Sequence, residues 1–492
     1  MSKFNIFAPL MGFLGVPEGE RRKAFFSFLA LFTLLVSYYL IKPLREALYF
    51  REFGADFLPI FHLLVIAASI LLTHLFHQVL SHIEKTKVLR VTYPAVAIVH
   101  LIFGAFLHQP SKTSIILFCL WASVYFLLCL SLLWGVTNQR FSAEGGRRCY
   151  AFIWMGAILG ALVGSKISLI LFKKGAFGPN LLFSTLTLVI AYFFLQMAKP
   201  HPGEERKGLP LQNLGPSRGR MSDLFSNRYL LSVAILIFSL TFCRSVFDYT
   251  TNAMVERELT REVLSEVYWS DFSGGDFEQD LEFVNAVLSI KHGAEEQRLN
   301  RLHETLSDLP QSWAENPMEE FVRYQDHLQQ KTGIFFGEVY LYQNVLGVIL
   351  LLILKGGLIK ALGLPVLLLV LPVLYLFSSL ALFFQIELDT VQFLKILTGG
   401  VDYSWNNTGK ELLYVPLDFE ANLRFKPVIE GPVFRMGGAL AAFSKMGLDA
   451  LIQIASRASA TLVGLSLVLI FFWMRCAHRV GERCEKLECS ET

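Results

Sequence analysis

Charged side chains are scarce: they make up 17% of the 492 residues, against 53% hydrophobic, and the mean hydropathy is +0.48. Such a balance excludes an ordinary water-soluble globule and calls for a bilayer as solvent for most of the chain. The phosphate-cradling pattern G-x-x-x-x-G-K-[ST] is absent, so hydrolysis by a loop of that type is excluded as an energy source. The seven cysteines sit mostly inside apolar runs and form no pairable framework, and the tail "CAHRVGERCEKLEC" has no zinc-ligand spacing. No cofactor or metal is implied. With a net charge of +3, nothing points to a nucleic-acid polymer as partner. The opening "MSKFNIFAPLMGFLGVPEGERRK" places its charges after its apolar residues and offers no cleavage site, so no cleavable signal is expected. Phe4, Phe7, Leu10, Met11 and Leu14 recur at helical spacing, and this segment is expected to lie along the inner membrane surface.

What is present is length in apolar runs. A spanning helix needs about 20 such residues. Twelve stretches qualify: 24–43, 57–80, 91–108, 114–137, 149–172, 180–198, 229–250, 335–354, 363–385, 389–405, 430–454 and 458–475. The tenth, "TVQFLKILTGGVDYSWNN", carries Lys395, Gly399, Gly400 and Asp402 and is expected to be broken or to line a cavity. Basic residues in the connections fix the orientation: with both termini inside, twenty-five fall on the cytoplasmic side and five in the short outer loops. The expected fold class is therefore an all-α membrane protein of twelve transmembrane helices, with N- and C-termini cytoplasmic.

The connection "KPHPGEERKGLPLQNLGPSRGRMSD" is rich in Gly, Pro and Arg and divides six spans from six. The chain is read as an N-terminal bundle over 1–198, a cytoplasmic linker over 199–228 and a C-terminal bundle over 229–492. Sliding by 206 residues lays "FTLLVSYYLIK" from Phe32 over "FSLTFCRSVFD" from Phe238, with Lys42 opposite Asp248. Two six-helix pseudo-repeats joined at a cytoplasmic midpoint indicate a major facilitator-like architecture. Residues 255–334 form a polar insert on the outer side, with seven basic against seventeen acidic residues, and apolar spacing in "LEFVNAVLSI" and "FVRYQDHL" predicts a small helical cap. A partner for this insert is unknown from the sequence, and its His303 and Asp308 pair stands without any accompanying catalytic motif.

The spans hold charges that a plain anchor would lack. A charge at the bilayer centre costs about 2.5–3.5 kcal/mol on insertion scales. In "SYYLIKPLREALYF", Lys42, Arg45 and Glu46 stand at i, i+3 and i+4 on one helix face, beside Pro43. Further along lie Lys166, Arg244 and Asp248, Glu338, Lys395 and Asp402, Arg435, and Lys445 with Asp449 at i+4. With Asp449 set aside as the local partner of Lys445, six of these are basic and three acidic once Lys42 is included, so pairing leaves a cationic excess that an anionic substrate would neutralise. Gly156, Gly160 and Gly164 recur at four-residue steps and predict a close-packed helix face. His74 and His77 near the end of the second span are read as interfacial.

Three stretches resemble the non-mitochondrial ATP/ADP translocases of plastids and intracellular bacteria: "YYLIKPLREALYF", "LLWGVTNQRFSAEGGRRCYAFIWMGAILGALVGS" and "GKELLYVPLDFEANLRFKPVIEGPVFRMGGALAA". The resemblance implies a secondary transporter, not an enzyme, that moves nucleotides or related phosphorylated anions across a bacterial inner membrane by alternating access. By it, Arg45, Asp248, Lys410, Glu411 and Lys426 fall at or near charged positions important to exchange, and Asn138 joins the candidate substrate-binding residues. Lys42, Arg45, Lys166, Arg244 and Arg435 are expected to contact phosphate, with Glu46 and Asp248 as their partners when the site is empty. The sequence departs from the family where the fourth span reads "WASV" in place of an intramembrane Glu, and where Asn252 follows Asp248 in place of Lys. The alternatives are a major facilitator-type transporter of another solute, proton-coupled through Glu46, Asp248 or Glu338, and a membrane enzyme or scaffold acting through the outer insert.

Overall fold

The structure is a computed structural model that describes residues 16–81, 88–108, 110–141, 143–198, 227–268, 287, 317–353, 359–382, 387–414, 416–417, 425–426, 428–452 and 455–491. Lipid cannot bond backbone N–H and C=O groups, so each apolar run closes its hydrogen bonds within itself as a helix. Among the described residues twelve long helices follow one another: α1 Arg21–Glu52, α2 Leu58–Ser81, α3 Val88–Phe106, α4 Lys112–Arg140, α5 Ala143–Lys173, α6 Gly178–Met197, α7 Arg228–Tyr268, α8 Pro317–Ile353, α9 Ile359–Leu382, α10 Leu388–Leu412, α11 Ile429–Leu451 and α12 Ala455–Glu491. Among the described residues nine helices are long and apolar enough to cross a membrane. This is a multi-pass membrane protein.

Two elements differ from the sequence expectation. The tenth span is continuous: a π-turn over Asp402–Asn406 absorbs the irregularity, and the helix runs on through Asn407–Leu412. The ends of the polar insert are extensions of the flanking helices, since α7 runs to Tyr268 and α8 starts at Pro317. Val255, Leu259, Val263 and Leu264 keep helical spacing and are buried, and Thr260 Oγ1 lies 3.0 Å from the Tyr324 hydroxyl. His303 and Asp308 lie outside the described residues.

The chain divides into two compact units. The first comprises Met1–Glu52, Ala67–Gly215 and Gln329–Leu341; the second comprises Phe53–Ile66, Pro216–Leu328 and Tyr342–Thr492. The boundary thus passes through α2 and twice through α8, so each unit takes a short segment from the other half of the sequence.

Within each unit the fifth helix of the repeat packs on its first. A Cβ added at Gly156 would lie 2.5 Å from the Phe28 carbonyl oxygen, at Gly164 2.8 Å from that of Val36, and at Gly160 it would overlap that of Phe32. In the second unit a Cβ at Gly437 of α11 would lie 2.5 Å from the Phe238 carbonyl oxygen of α7. Phe32 and Phe238 are the two residues that the 206-residue offset superposes, so the pseudo-repeat extends to the register of helix packing. Gly160→Val should overpack this contact and cost about 1–3 kcal/mol or more. Its thermal midpoint in detergent should fall well below the parent's, whereas Gly447→Ala, with nothing within 4 Å, should leave it unchanged.

Candidate functional site

In the first unit the charged face of α1 meets aromatic rings. Lys42 is buried, and its Nζ lies 3.8 Å from the centroid of the Tyr340 ring, 5.4 Å from that of Tyr39 and 5.9 Å from that of Tyr38. Such contacts are worth about 2 kcal/mol or more when desolvated. Arg45 donates through Nη2 to Glu46 and through Nη1 to Ser123 Oγ at 3.1 Å. The Tyr340 hydroxyl in turn donates to Glu46 Oε1 at 3.3 Å. Lys42, Arg45 and Glu46 therefore form one cluster with one positive charge in excess. Tyr38 stacks on Phe126 of α4 at 4.0 Å between centroids.

In the second unit the charges form a chain of alternating sign. Lys395 Nζ lies 3.6 Å from Asp248 Oδ1, Asp248 Oδ2 lies 4.0 Å from Arg244 Nε, and Arg244 Nη1 donates to Asp402 Oδ2 at 2.9 Å. Asn406 closes the chain by donating to Asp402 Oδ1 at 2.7 Å. The π-turn of α10 supplies both Asp402 and Asn406. Lys395 and Asp402 are buried, while the side chains of Arg244 and Asp248 are 37% and 36% exposed. The weak link is the 4.0 Å contact, too long for a hydrogen bond. Arg244 has five donors and commits one to Asp402, which leaves its fork for an anion.

The structure joins some of the residues singled out by sequence and separates others. Lys42, Arg45 and Glu46 meet in the first unit, Arg244 and Asp248 in the second. Lys426 pairs with Glu411 at 2.6 Å near the end of α10, where Glu411 is 64% exposed and Lys410 lies two turns beyond Asp402; a pair of this kind contributes about 0–1 kcal/mol. Lys166 is exposed and Arg435 half-buried, and neither has a hydrogen bond or ion pair among the described residues. The side chains of Asn138, His74 and His77 lie outside the described residues.

The cationic excess is smaller than the span-by-span count. Arg244 and Lys395 are balanced by Asp402 and Asp248, Lys445 is held by Asp449 at 2.5 and 2.7 Å, and Glu338 binds Lys173 of α5 at 2.8 Å. The sequence reading counted Lys395 and Asp402 among the intramembrane charges without assigning them to the substrate-binding set, and it did not single out Asn406 or Tyr340. The charge of Asp402 inside an apolar run was the available signal, but its partner lies 158 residues away.

The fold, twelve long helices among the described residues, is one that solved membrane transporters share at low sequence identity. The nucleoside transporter NupG superposes with a TM-score of 0.53 at 12% identity, covering 94% of this chain and 99% of that one. A point mutant of NupG gives 0.55 at 12% identity, over 92% and 99% of the two chains. A bacterial homolog of the human lysosomal transporter Spinster, inward-facing and occupied, gives 0.50 at 11% identity, over 96% and 98%. No curated protein matches the sequence. Residues 369–483, from α9 into α12, match the family described as TLC ATP/ADP transporter, which bears out the resemblance drawn from the sequence.

Asp402 is the pivot of the second cluster. Asp402→Asn should destabilise the protein by about 3–5 kcal/mol, the usual cost of stranding one partner of a buried pair. Arg244→Gln combined with Asp402→Asn should be less destabilised than the sum of the single changes, as read from thermal midpoints in a double-mutant cycle. Glu411→Gln, which breaks the exposed pair with Lys426, should cost about 0–1 kcal/mol.

Proposed function

We propose that this protein is a secondary transporter that exchanges nucleotides of the ATP/ADP type, or related phosphorylated anions, across a bacterial inner membrane by alternating access. The observation that carries the reading is the pair of clusters, each holding cations in bonds that an anion can replace. Arg244 keeps a free fork beside its 4.0 Å contact to Asp248, and Lys42 faces tyrosine rings while Arg45 shares Glu46 with Tyr340. Phosphate oxygens suit both, because charge-assisted bonds to guanidinium and ammonium are about twice as strong as neutral ones. The family match over residues 369–483 supports a nucleotide as the phosphorylated species.

Lys42, Arg45 and Arg244 are assigned to phosphate, with Lys166 and Arg435 as further cations available to it. Glu46 and Asp248 hold the cations when no substrate is bound. The excess of basic residues in the connections on one side supports a cytoplasmic location for both termini.

Counterflow tests the reading. Proteoliposomes preloaded with ADP should take up labelled ATP far faster than empty ones, and Arg45→Gln and Arg244→Gln should each abolish that uptake while the variants still insert in the membrane. Uptake driven by a pH gradient and indifferent to internal ADP would instead support a proton-coupled carrier of another solute.

A further inference from the structure

Helix α12 is longer than a bilayer is thick. Its 37 residues, Ala455–Glu491, rise by about 55 Å at about 1.5 Å per residue, against a hydrocarbon core of about 30 Å. Its C-terminal turns therefore leave the apolar layer, and packing inside the second unit fixes which way they face. Trp473, Ala477, Val480 and Cys484 are buried on one side of the helix. The Trp473 and Tyr375 rings lie 6.0 Å apart, and Cys484 Sγ donates to the Leu412 carbonyl at 3.5 Å. A Cβ at Gly481 would lie 2.7 Å from Pro365 Cα, and the Leu364 N–H donates to Glu485 Oε1 at 2.7 Å.

The opposite side changes character along its length. Leu465, Val468 and Phe472 are 50%, 71% and 49% exposed. Arg475, Arg479, Arg483 and Lys486 continue the same face at steps of three and four residues, and all four are exposed. Glu482 is the carboxylate among them, and its Oε1 lies 3.3 Å from His478 Nε2. An exposed apolar stripe within a span faces acyl chains, so its continuation beyond the span meets headgroups.

We propose that this basic stripe is a binding surface for anionic lipid, namely the phosphodiester headgroups of the leaflet in which α12 ends. The proposal does not depend on what the protein carries. A headgroup layer is about 5–7 Å thick on each side of the core. Arg479 lies about 6 Å along the helix from Arg475, so both stand in that layer, and Arg483 and Lys486 follow within about 10 Å, roughly a Debye length. Guanidinium groups match phosphate oxygens in a two-bond fork. Because the buried side of α12 is packed on α9 and the end of α10, the helix cannot turn its cations away from the bilayer.

The test uses full-length protein in phosphatidylcholine liposomes doped with phosphatidylglycerol that carries a photoreactive headgroup. Mapped cross-links should fall in residues 475–486 and saturate as the doped fraction rises. The half-saturating fraction should increase about fivefold in Arg479→Gln and about twenty-five-fold in the double variant Arg475→Gln, Arg479→Gln, the factors for one and two charges at an anionic surface. Arg479→Lys should stay near the parent. Unchanged half-saturation in both glutamine variants overturns the proposal. Two comparisons on the parent alone serve even if a variant misfolds. Equal labelling of 475–486 by a phosphatidylcholine probe of the same build would show apolar contact without charge recognition, and displacement of the probe by inorganic phosphate, at an ionic strength matched with chloride, would show a site for free anions; either result overturns the proposal.

Discussion

A charge inside a bilayer must have a partner, and that constraint organises the two clusters described above. Both are built on the first helix of a six-helix repeat, α1 in one unit and α7 in the other, each of which approaches the fifth helix of its own repeat at a glycine set against a backbone carbonyl. Lys42 and Asp248 occupy equivalent positions of the repeat and have opposite signs, so the two clusters differ in charge. The first leaves one positive charge in excess over Lys42, Arg45 and Glu46. The second distributes two cations and two carboxylates along Lys395, Asp248, Arg244 and Asp402, with no excess. Low dielectric makes each of these contacts strong while it lasts and makes an unpartnered member costly. On the function proposed above, an anionic guest that replaced a resident carboxylate would change little in total energy but would alter which helices are tied together.

Local features were legible in the sequence because they need only a window of residues. Hydropathy gave all twelve helices, and i, i+3, i+4 spacing placed Lys42, Arg45 and Glu46 on one face and paired Lys445 with Asp449. The four-residue glycine steps predicted the close face of α5, whereas the carbonyls that it meets came only from the structure. Long-range pairing was not legible. Glu46 and Tyr340 are 294 residues apart, and nothing in either span names the other. Counting charges span by span left acids such as Asp402 without their partners and so overstated the surplus of cations. The polar composition of 255–334 likewise concealed two helix extensions, since a helix that leaves the membrane keeps its apolar stripe while its outer face becomes charged.

Glycine contacts and polar contacts have different roles in this arrangement. Gly156, Gly160 and Gly164 bring α5 so close to the backbone of α1 that α5 cannot carry even a methyl group at the crossing. The stretch Gln329–Leu341 combines close packing, at Gly333 against the Phe172 ring, with polar contacts from Arg51 to Gln329, Gln330 to the Phe172 carbonyl and Lys173 to Glu338.

The claim on which the rest stands is that negative charge, and not the base or sugar, is what the buried cations hold. Thermal unfolding of the purified protein with ADP and with adenosine separates these possibilities. ADP at about a hundredfold excess over its dissociation constant should stabilise the protein by about 2.7 kcal/mol, while adenosine at the same concentration should leave the midpoint unmoved. Equal stabilisation by both would contradict a site built for phosphate.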